Sequence, residues 1–158
     1  MRRRQFFDLK EEFFAGIEYI NETENETNLN DGLDFVTFIE DFKPLEINKQ
    51  FSVNKNELVV LKTKPNSLVS LKWEVFVKSK DSKEKTSLSF RILQNKKVID
   101  STRINGHGSN DLNGIQNFGN TLVHINPKDI FTIQIKNIDL EKPTEKIIVK
   151  IARLILEN

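Results

Sequence analysis

The sequence predicts an all-β protein, an antiparallel two-sheet sandwich of the jelly-roll kind with an amphipathic helix in front of it. Three observations carry this. Apolar and polar residues alternate along segment after segment between Leu33 and Leu156, the period of a strand that buries one face. Turn formers punctuate that stretch at Pro44, Lys64-Pro65-Asn66, Asn95, Asn126-Pro127 and Pro143, with no helical pattern between them. The first twenty residues follow a different period.

In that opening segment Phe6, Leu9, Phe13, Ile17 and Ile20 recur at steps of three and four, and Glu11, Glu12 and Glu18 fall on the other side. The spacing predicts a helix over residues 1–20 with one apolar stripe. Residues 21–32 are polar and acidic without any period, and read as a linker. Residues 33–158 form the expected sandwich domain. It is expected to fold without the first thirty residues.

The candidate strands are Asp34–Ile39, Leu45–Val53, Leu58–Thr63, Leu68–Lys78, Ser87–Gln94, Val98–Ile104, Ile115–Ile125, Ile130–Lys136 and Lys146–Leu156. Val69, Leu71, Trp73, Val75 and Val77 share one face of the fourth, so Trp73 is expected in the core. Leu88, Phe90 and Ile92 do the same in the fifth, and Phe131, Ile133 and Ile135 in the eighth. This number of strands suits a jelly roll better than a seven-stranded immunoglobulin pattern, whose two cysteines are missing.

Composition narrows the functional classes. With no cysteine, neither disulfides nor thiolate metal sites are available. Lysine and arginine (24) nearly balance aspartate and glutamate (23), so the chain lacks the basic field with which proteins collect phosphates, and nucleic acid is not an expected partner. No apolar run reaches the ~20 residues of a membrane span. Asp8, Glu11 and Glu12 interrupt any signal-peptide core, so no classical signal is expected. Phenylalanine dominates the aromatics, twelve against one Trp and one Tyr. Phe has no polar handle and serves packing above all.

The segment from Asn105 to Asn120 holds four of the six glycines and reads as a loop, because glycine and asparagine tolerate positive φ. Within it Asn105, His107, Asn110, Asp111 and Asn113 are the candidate ligand residues, with side chains suited to hydrogen-bonding the hydroxyls of a glycan. His107 and His124 stand in unrelated local settings and make no metal-ligand spacing. No nucleophile–base order, phosphate loop or dinucleotide fingerprint is present. No catalytic residue, metal site or cofactor is therefore expected, and the chain is read as a non-enzyme. Asn21-Glu22-Thr23 and Asn25-Glu26-Thr27 match the glycosylation acceptor pattern. The apolar stripe of Phe6, Leu9, Phe13, Ile17 and Ile20 is too large to stay in water, and is expected to be an assembly interface.

Between Asn113 and Asn137 the run Gly-Ile-Gln-Asn-Phe-Gly-Asn-Thr-Leu-Val-His-Ile is followed by Asn126-Pro127-Lys128-Asp129 and then by Ile-Phe-Thr-Ile-Gln-Ile-Lys-Asn. This strand–turn–strand pattern resembles the late strands of tumour-necrosis-factor-like jelly rolls, including the complement globular head and the trimeric heads of bacterial spore-surface proteins. In those a small turn, often Gly-Asp, precedes an apolar strand. Asp129 matches the acid, Pro127-Lys128 replaces the glycine, and no collagen-like Gly-X-Y stem precedes the head. The resemblance implies a non-enzymatic, homotrimeric β-sandwich that self-assembles at a cell, spore or virion surface. A glycan-binding module and a virion fibre, decoration or capsid subunit are the alternative expectations.

Overall fold

The computed structural model describes residues 12–29, 34–79, 85–109, 114–138 and 146–158. In chain order the strands are β1 (Phe14–Ile20), β2 (Thr27–Asn28), β3 (Val36–Thr37), β4 (Lys43–Pro44), β5 (Phe51–Asn54), β6 (Glu57–Val60), β7 (Ser67–Ser79), β8 (Lys85–Gln94), β9 (Lys97–Ser109), β10 (Ile115–Ile125), β11 (Ile130–Asn137) and β12 (Lys146–Glu157). The described residues contain no helix.

Two antiparallel sheets face each other. The first runs β10-β7-β12-β1-β4, with β2 added on β12, and the second runs β5-β6-β11-β8-β9, with β3 added on β11. Apart from the hairpins β5-β6 and β8-β9, consecutive strands thus sit in different sheets or apart in one sheet, the crossed connectivity of a jelly roll. Alternation does what the pattern implied. Val69, Leu71, Trp73, Val75 and Val77 of β7 are all buried, and so are Leu88, Phe90 and Ile92 of β8 and Phe131, Ile133 and Ile135 of β11. Leu154 and Leu156 of β12 join them, and the inner faces of both sheets make one continuous core.

The predicted N-terminal helix is corrected. Residues 14–20 are strand β1, paired through its whole length with β12 from Phe14↔Glu157 to Ile20↔Ile151. Phe13, Ala15, Ile17 and Tyr19 point inward and are buried. The reason is that positions 13 and 17 satisfy period two as well as period four, and a neighbouring strand was available to satisfy the backbone. β1 and β2, which fall within the expected helix and linker, are both hydrogen-bonded to the sheet through β12. Residues 1–11, with Phe6 and Leu9, lie outside the described residues. Tyr19 forms an aromatic cluster with Phe38, met edge-on, and Phe42, met at a tilt, at centroid distances of 5.1 and 6.0 Å. Burial, with the Glu40 charge second, holds the Tyr19 phenol above its ordinary pKa. Asn21, the first glycosylation candidate, is buried, and its carboxamide bonds the backbone of Asn25 at both ends.

Asp129 organises one end of the sandwich. Its carboxylate accepts from Asn95 Nδ2 (2.8 Å), Gln94 Nε2 (3.0 Å) and the Asn126 backbone N–H (2.8 Å). The Asn95-Lys96 turn between β8 and β9 has positive φ at both residues, the type I′ geometry that suits a two-residue hairpin. Asn126 Oδ1 accepts from the Asn66 N–H at 2.7 Å, and the Lys128 N–H donates to Val60 O at 2.7 Å. One acidic turn thus ties together the ends of β6, β8 and β10 and the start of β7. Lys128 takes φ +76° there, where the resembled pattern carries glycine.

Two outcomes follow from these placements. Ile17→Ala is expected to lower the unfolding free energy in urea by about 2–5 kcal/mol, the cost of a core cavity, whereas the half-exposed Ile20→Ala costs about 0.5 kcal/mol. Equal effects would mean that β1 is not part of the core. Lys128→Gly removes a side chain from a left-handed backbone position and is expected to raise stability by about 1 kcal/mol after the extra chain entropy of glycine is deducted. The same urea titration measures it.

Candidate assembly interface

The two sheets treat their outer faces differently. Over the second sheet, Phe35 lies across the outward side chains, with the Arg91 guanidinium 3.7 Å and the Lys136 ammonium 5.6 Å from its ring centroid. Arg91 Nε donates to Gln134 Oε1 at 2.7 Å, and Gln134 Nε2 to Thr37 Oγ1 at 3.1 Å. Burial, with the Arg103 charge second, lowers the Arg91 pKa from its ordinary value. Residues 35–37 thus pack against part of that face.

The outer face of the first sheet can be read row by row from the register. Gln116, Phe76, Ile151 and Ile20 form one row, followed by Phe118, Glu74, Arg153, Glu18 and Lys43. Next come Asn120, Lys72, Ile155 and Gly16, then Leu122, Ser70, Glu157 and Phe14, and finally His124 and Leu68. Apolar side chains therefore recur in every row, on β1, β7, β10 and β12. Phe118 is 68% exposed and Leu122 66%, with Leu68 and Ile20 about half exposed. Large exposed apolar groups gathered on one face mark an interaction surface.

Sequence and local sterics place these groups. Along β10 the inward set is Ile115, Asn117, Gly119, Thr121, Val123 and Ile125, which turns Phe118 and Leu122 outward by simple alternation. Gly119 is required to be small, since a Cβ there would stand 2.5 Å from Trp73 Cζ2. The Trp73 indole Nε1 donates to Asn117 Oδ1 at 2.9 Å inside the core, while Asn117 Nδ2 is buried without a hydrogen-bond partner. Gly16 lies under Phe14 and Leu45, whose side chains a Cβ would meet at about 3 Å. A shallow depression of about 410 Å³ lies between Phe118 and Ile155, rimmed by Lys72, Glu74 and Arg153.

Charges cross the middle of this face. Arg153 donates from Nε to Glu18 Oε2 at 2.7 Å and from Nη1 to Glu74 Oε2 at 2.8 Å. The bond to Glu18 is the larger cause that raises the Arg153 pKa, against its partial burial, and Glu74 adds to it. Lys72 pairs with Glu157 one row away. β9 closes the sandwich beside β10, where Ser101 Oγ and Thr121 Oγ1 hydrogen-bond at 2.9 Å. There β9 bulges, with Thr102 Oγ1 accepting from the Ile92 N–H (2.8 Å) and donating to Ile99 O (2.6 Å).

Of the expected assembly residues, Ile20 does lie on this outer face, at its β1 edge. Phe13 and Ile17 do not, because their side chains are spent in the protein's own core. Phe118 and Leu122 were missed, although their alternation with Asn117, Gly119 and Val123 was legible as an outward apolar set. Asn105 and His107 lie in strand β9, not in a loop, with Asn105 opposite Ser89 and His107 opposite Ser87. Ladder hydrogen bonds with β8 outweigh the weak strand preference of Asn and Gly in that run. Asn110, Asp111 and Asn113 lie outside the described residues. His124 is exposed, as its alternation with Val123 implied, with Nδ1 3.4 Å from Asn66 O.

A second depression, of about 450 Å³, lies between Glu18, Asn21, Glu22, Asn25, Asp41 and Lys43. Its acids form no cluster able to hold a metal ion, and the described residues include no such cluster elsewhere. Among the described residues there is no helix long and apolar enough to cross a membrane.

No protein-family model matches the chain, and no curated protein matches it. Solved structures do share its fold. Murine APRIL superposes with a TM-score of 0.52 at 11% identity, over 92% of this chain and 99% of that one. PRD1 vertex protein P5 superposes with a TM-score of 0.51 at 9% identity, over 91% of this chain and 94% of that one. The globular domain of zebrafish complement 1qA protein aligns over 93% of this chain and 96% of its own, at 9% identity and a TM-score of 0.48. At such identities the likeness is one of fold, and the fold is the tumour-necrosis-factor-like jelly roll that the strands around Asp129 resemble.

Proposed function

We propose that this protein is a non-enzymatic structural or interaction protein that self-assembles, as a homotrimer, through the outer face of its β10-β7-β12-β1 sheet. The observation that carries the reading is the exposure of Phe118 and Leu122, 68% and 66%, on a face whose apolar side chains recur across four strands. Burying each of those two side chains against a partner is worth about 1.5–3 kcal/mol. A second copy supplies such a partner at no cost in new sequence, since every copy carries the same patch. The number three comes from the resemblance to trimeric heads. The setting proposed is the surface of a cell, spore or virion; the fold shared with PRD1 vertex protein P5 over 91% of this chain supports keeping a virion role among these.

The test is solution mass by sedimentation and light scattering across the micromolar range. The unmodified protein is expected to be trimeric, and Phe118→Asp combined with Leu122→Asp is expected to give a folded monomer with the same β-type circular dichroism. A monomer for the unmodified protein at every concentration overturns the proposal. So does a double variant that keeps its mass.

A further inference from the structure

Arg153 and Arg91 are both held in place on the outer surface of the sandwich, and their charges are spent differently. Arg153, on the first sheet, pairs with Glu18 and Glu74. Arg91, on the second sheet, has no acid partner among the described residues. Its Nε–H donates to Gln134 Oε1 and Gln134 Nε2 donates in turn to Thr37 Oγ1, in one row across β8, β11 and β3. The guanidinium carbon lies 3.7 Å from the Phe35 ring centroid. Hydrogen bond and ring thus fix the group, while the N–H bonds of its two terminal nitrogens meet no acceptor among the described residues. Lys136, two positions from Gln134 along β11, brings its ammonium to 5.6 Å from the same ring centroid, and it too has no carboxylate at ion-pairing distance among those residues. Arg103 adds a third positive charge. After burial, it is what lowers the Arg91 pKa, and its own partner is the exposed Asp100 at 3.6 Å.

Two cations over one ring, short of acid in a chain whose charges otherwise nearly balance, make a place for an anion from outside. Their chemistry narrows which anion. The terminal nitrogens of a guanidinium present two parallel N–H bonds that match the coplanar oxygens of a carboxylate, and an ammonium adds a point charge beside them. The neighbours on the same face are Thr37, Gln134 and Thr132, hydroxyl and amide groups of the kind that hydrogen-bond sugar hydroxyls. An exposed ion pair by itself contributes little, so a ligand held here has to combine its charge with such polar contacts. We propose that the outer face of the second sheet binds a carboxylated sugar, with the carboxylate on Arg91 and Lys136 and the sugar hydroxyls on Thr37, Gln134 and Thr132. The site lies on the sheet opposite the assembly face and does not depend on the assembly reading. Should copies assemble through the first sheet, each brings one such site, and a surface carrying many sugars is held more tightly than one sugar.

The experiment is a saturation-transfer NMR titration of the full chain with N-acetylneuraminic acid and with glucuronic acid, alongside the methyl ester of each, acetate, sulfate and an oligoglutamate peptide. At least one acidic sugar is expected to bind with a dissociation constant on the order of 1 mM, and its ester, which lacks the charge, at least tenfold more weakly. Arg91→Gln is expected to weaken binding about tenfold or more, the loss of a charged hydrogen-bonding partner. Lys136→Gln is expected to weaken it by about threefold, while Lys62→Gln, which removes the same charge elsewhere on the surface, leaves it unchanged. Circular dichroism reports whether each variant folds, and Lys136→Gln decides if Arg91→Gln does not. The proposal is overturned if neither acidic sugar binds at about 20 mM, if the esters bind equally well, or if binding survives in the folded variants. Acetate or sulfate binding as tightly as the sugars reduces the site to an adventitious anion spot and also overturns it. Tighter binding of the oligoglutamate peptide overturns it in favour of an acidic protein partner. A monomeric chain that still binds the sugar leaves this inference standing and removes only the assembly reading.

Discussion

The ladder that β12 makes with its two neighbours holds the molecule together. On one side it pairs with β7 and on the other with β1, so the last strand joins the first described strand to the middle of the chain. Without β12 the inward residues Phe13, Ile17 and Tyr19 have no sheet to stand in, and Leu71, Trp73 and Val75 lose one wall of their core. The pairing with β1 joins residues more than a hundred positions apart, and the loop entropy has to be met before the contacts form. Topologies of this kind fold slowly. The compensation is a core shared by both sheets, in which removing one strand exposes residues on several others.

The same ladder determines the surface. A strand in a sandwich has two faces, and once its alternate residues are committed inward the others must point out. On the β8-β11 sheet the outward residues are largely polar or charged, and Phe35 with Thr37 lies over Arg91 and Gln134. On the β10-β7-β12-β1 sheet they include Phe118, Leu122, Leu68, Phe76, Ile155 and Ile20, and the bonds that cross them are those of Arg153 with Glu18 and Glu74. That contrast between the two faces of one fold is the ground on which we propose the first sheet as the place for a partner. The paired charges give the face a direction that a purely apolar patch would lack, since they can be met favourably in few orientations.

At one end of the sandwich, chemistry local to three turns converges on Asp129 and its neighbour Asn126. The acid accepts three hydrogen bonds from residues of two different turns, and Asn126 beside it reaches a third at Asn66. Lys128 holds a backbone conformation that favours glycine, which is tolerated where surrounding bonds over-determine the turn. This rigid end fixes how β10 enters β11, and so keeps the outward positions of β10 in register with β7 up to the Leu122 row.

Much of this was legible in the residues alone. Period-two alternation from Leu33 onward located the long strands, their inward sets and the buried place of Trp73, and Asn126-Pro127-Lys128-Asp129 announced the turn. The first described strand was misread because Phe13, Ile17 and Ile20 suit a helical stripe, while Ala15 and Tyr19, which complete the strand face, are weakly apolar or amphipathic and did not weigh against it. A short segment carries both periods at once, and only the edge offered by β12 chooses between them. The Gly/Asn-rich run before Ser109 likewise became strand because β8 supplied its hydrogen bonds. What the sequence determined by itself was the class of fold and which residues are buried within each long strand, since alternation is a property of the chain. Which outward face lacks cover, and which charges meet on it, was decided only in the folded protein, because both depend on strands far apart in sequence becoming neighbours.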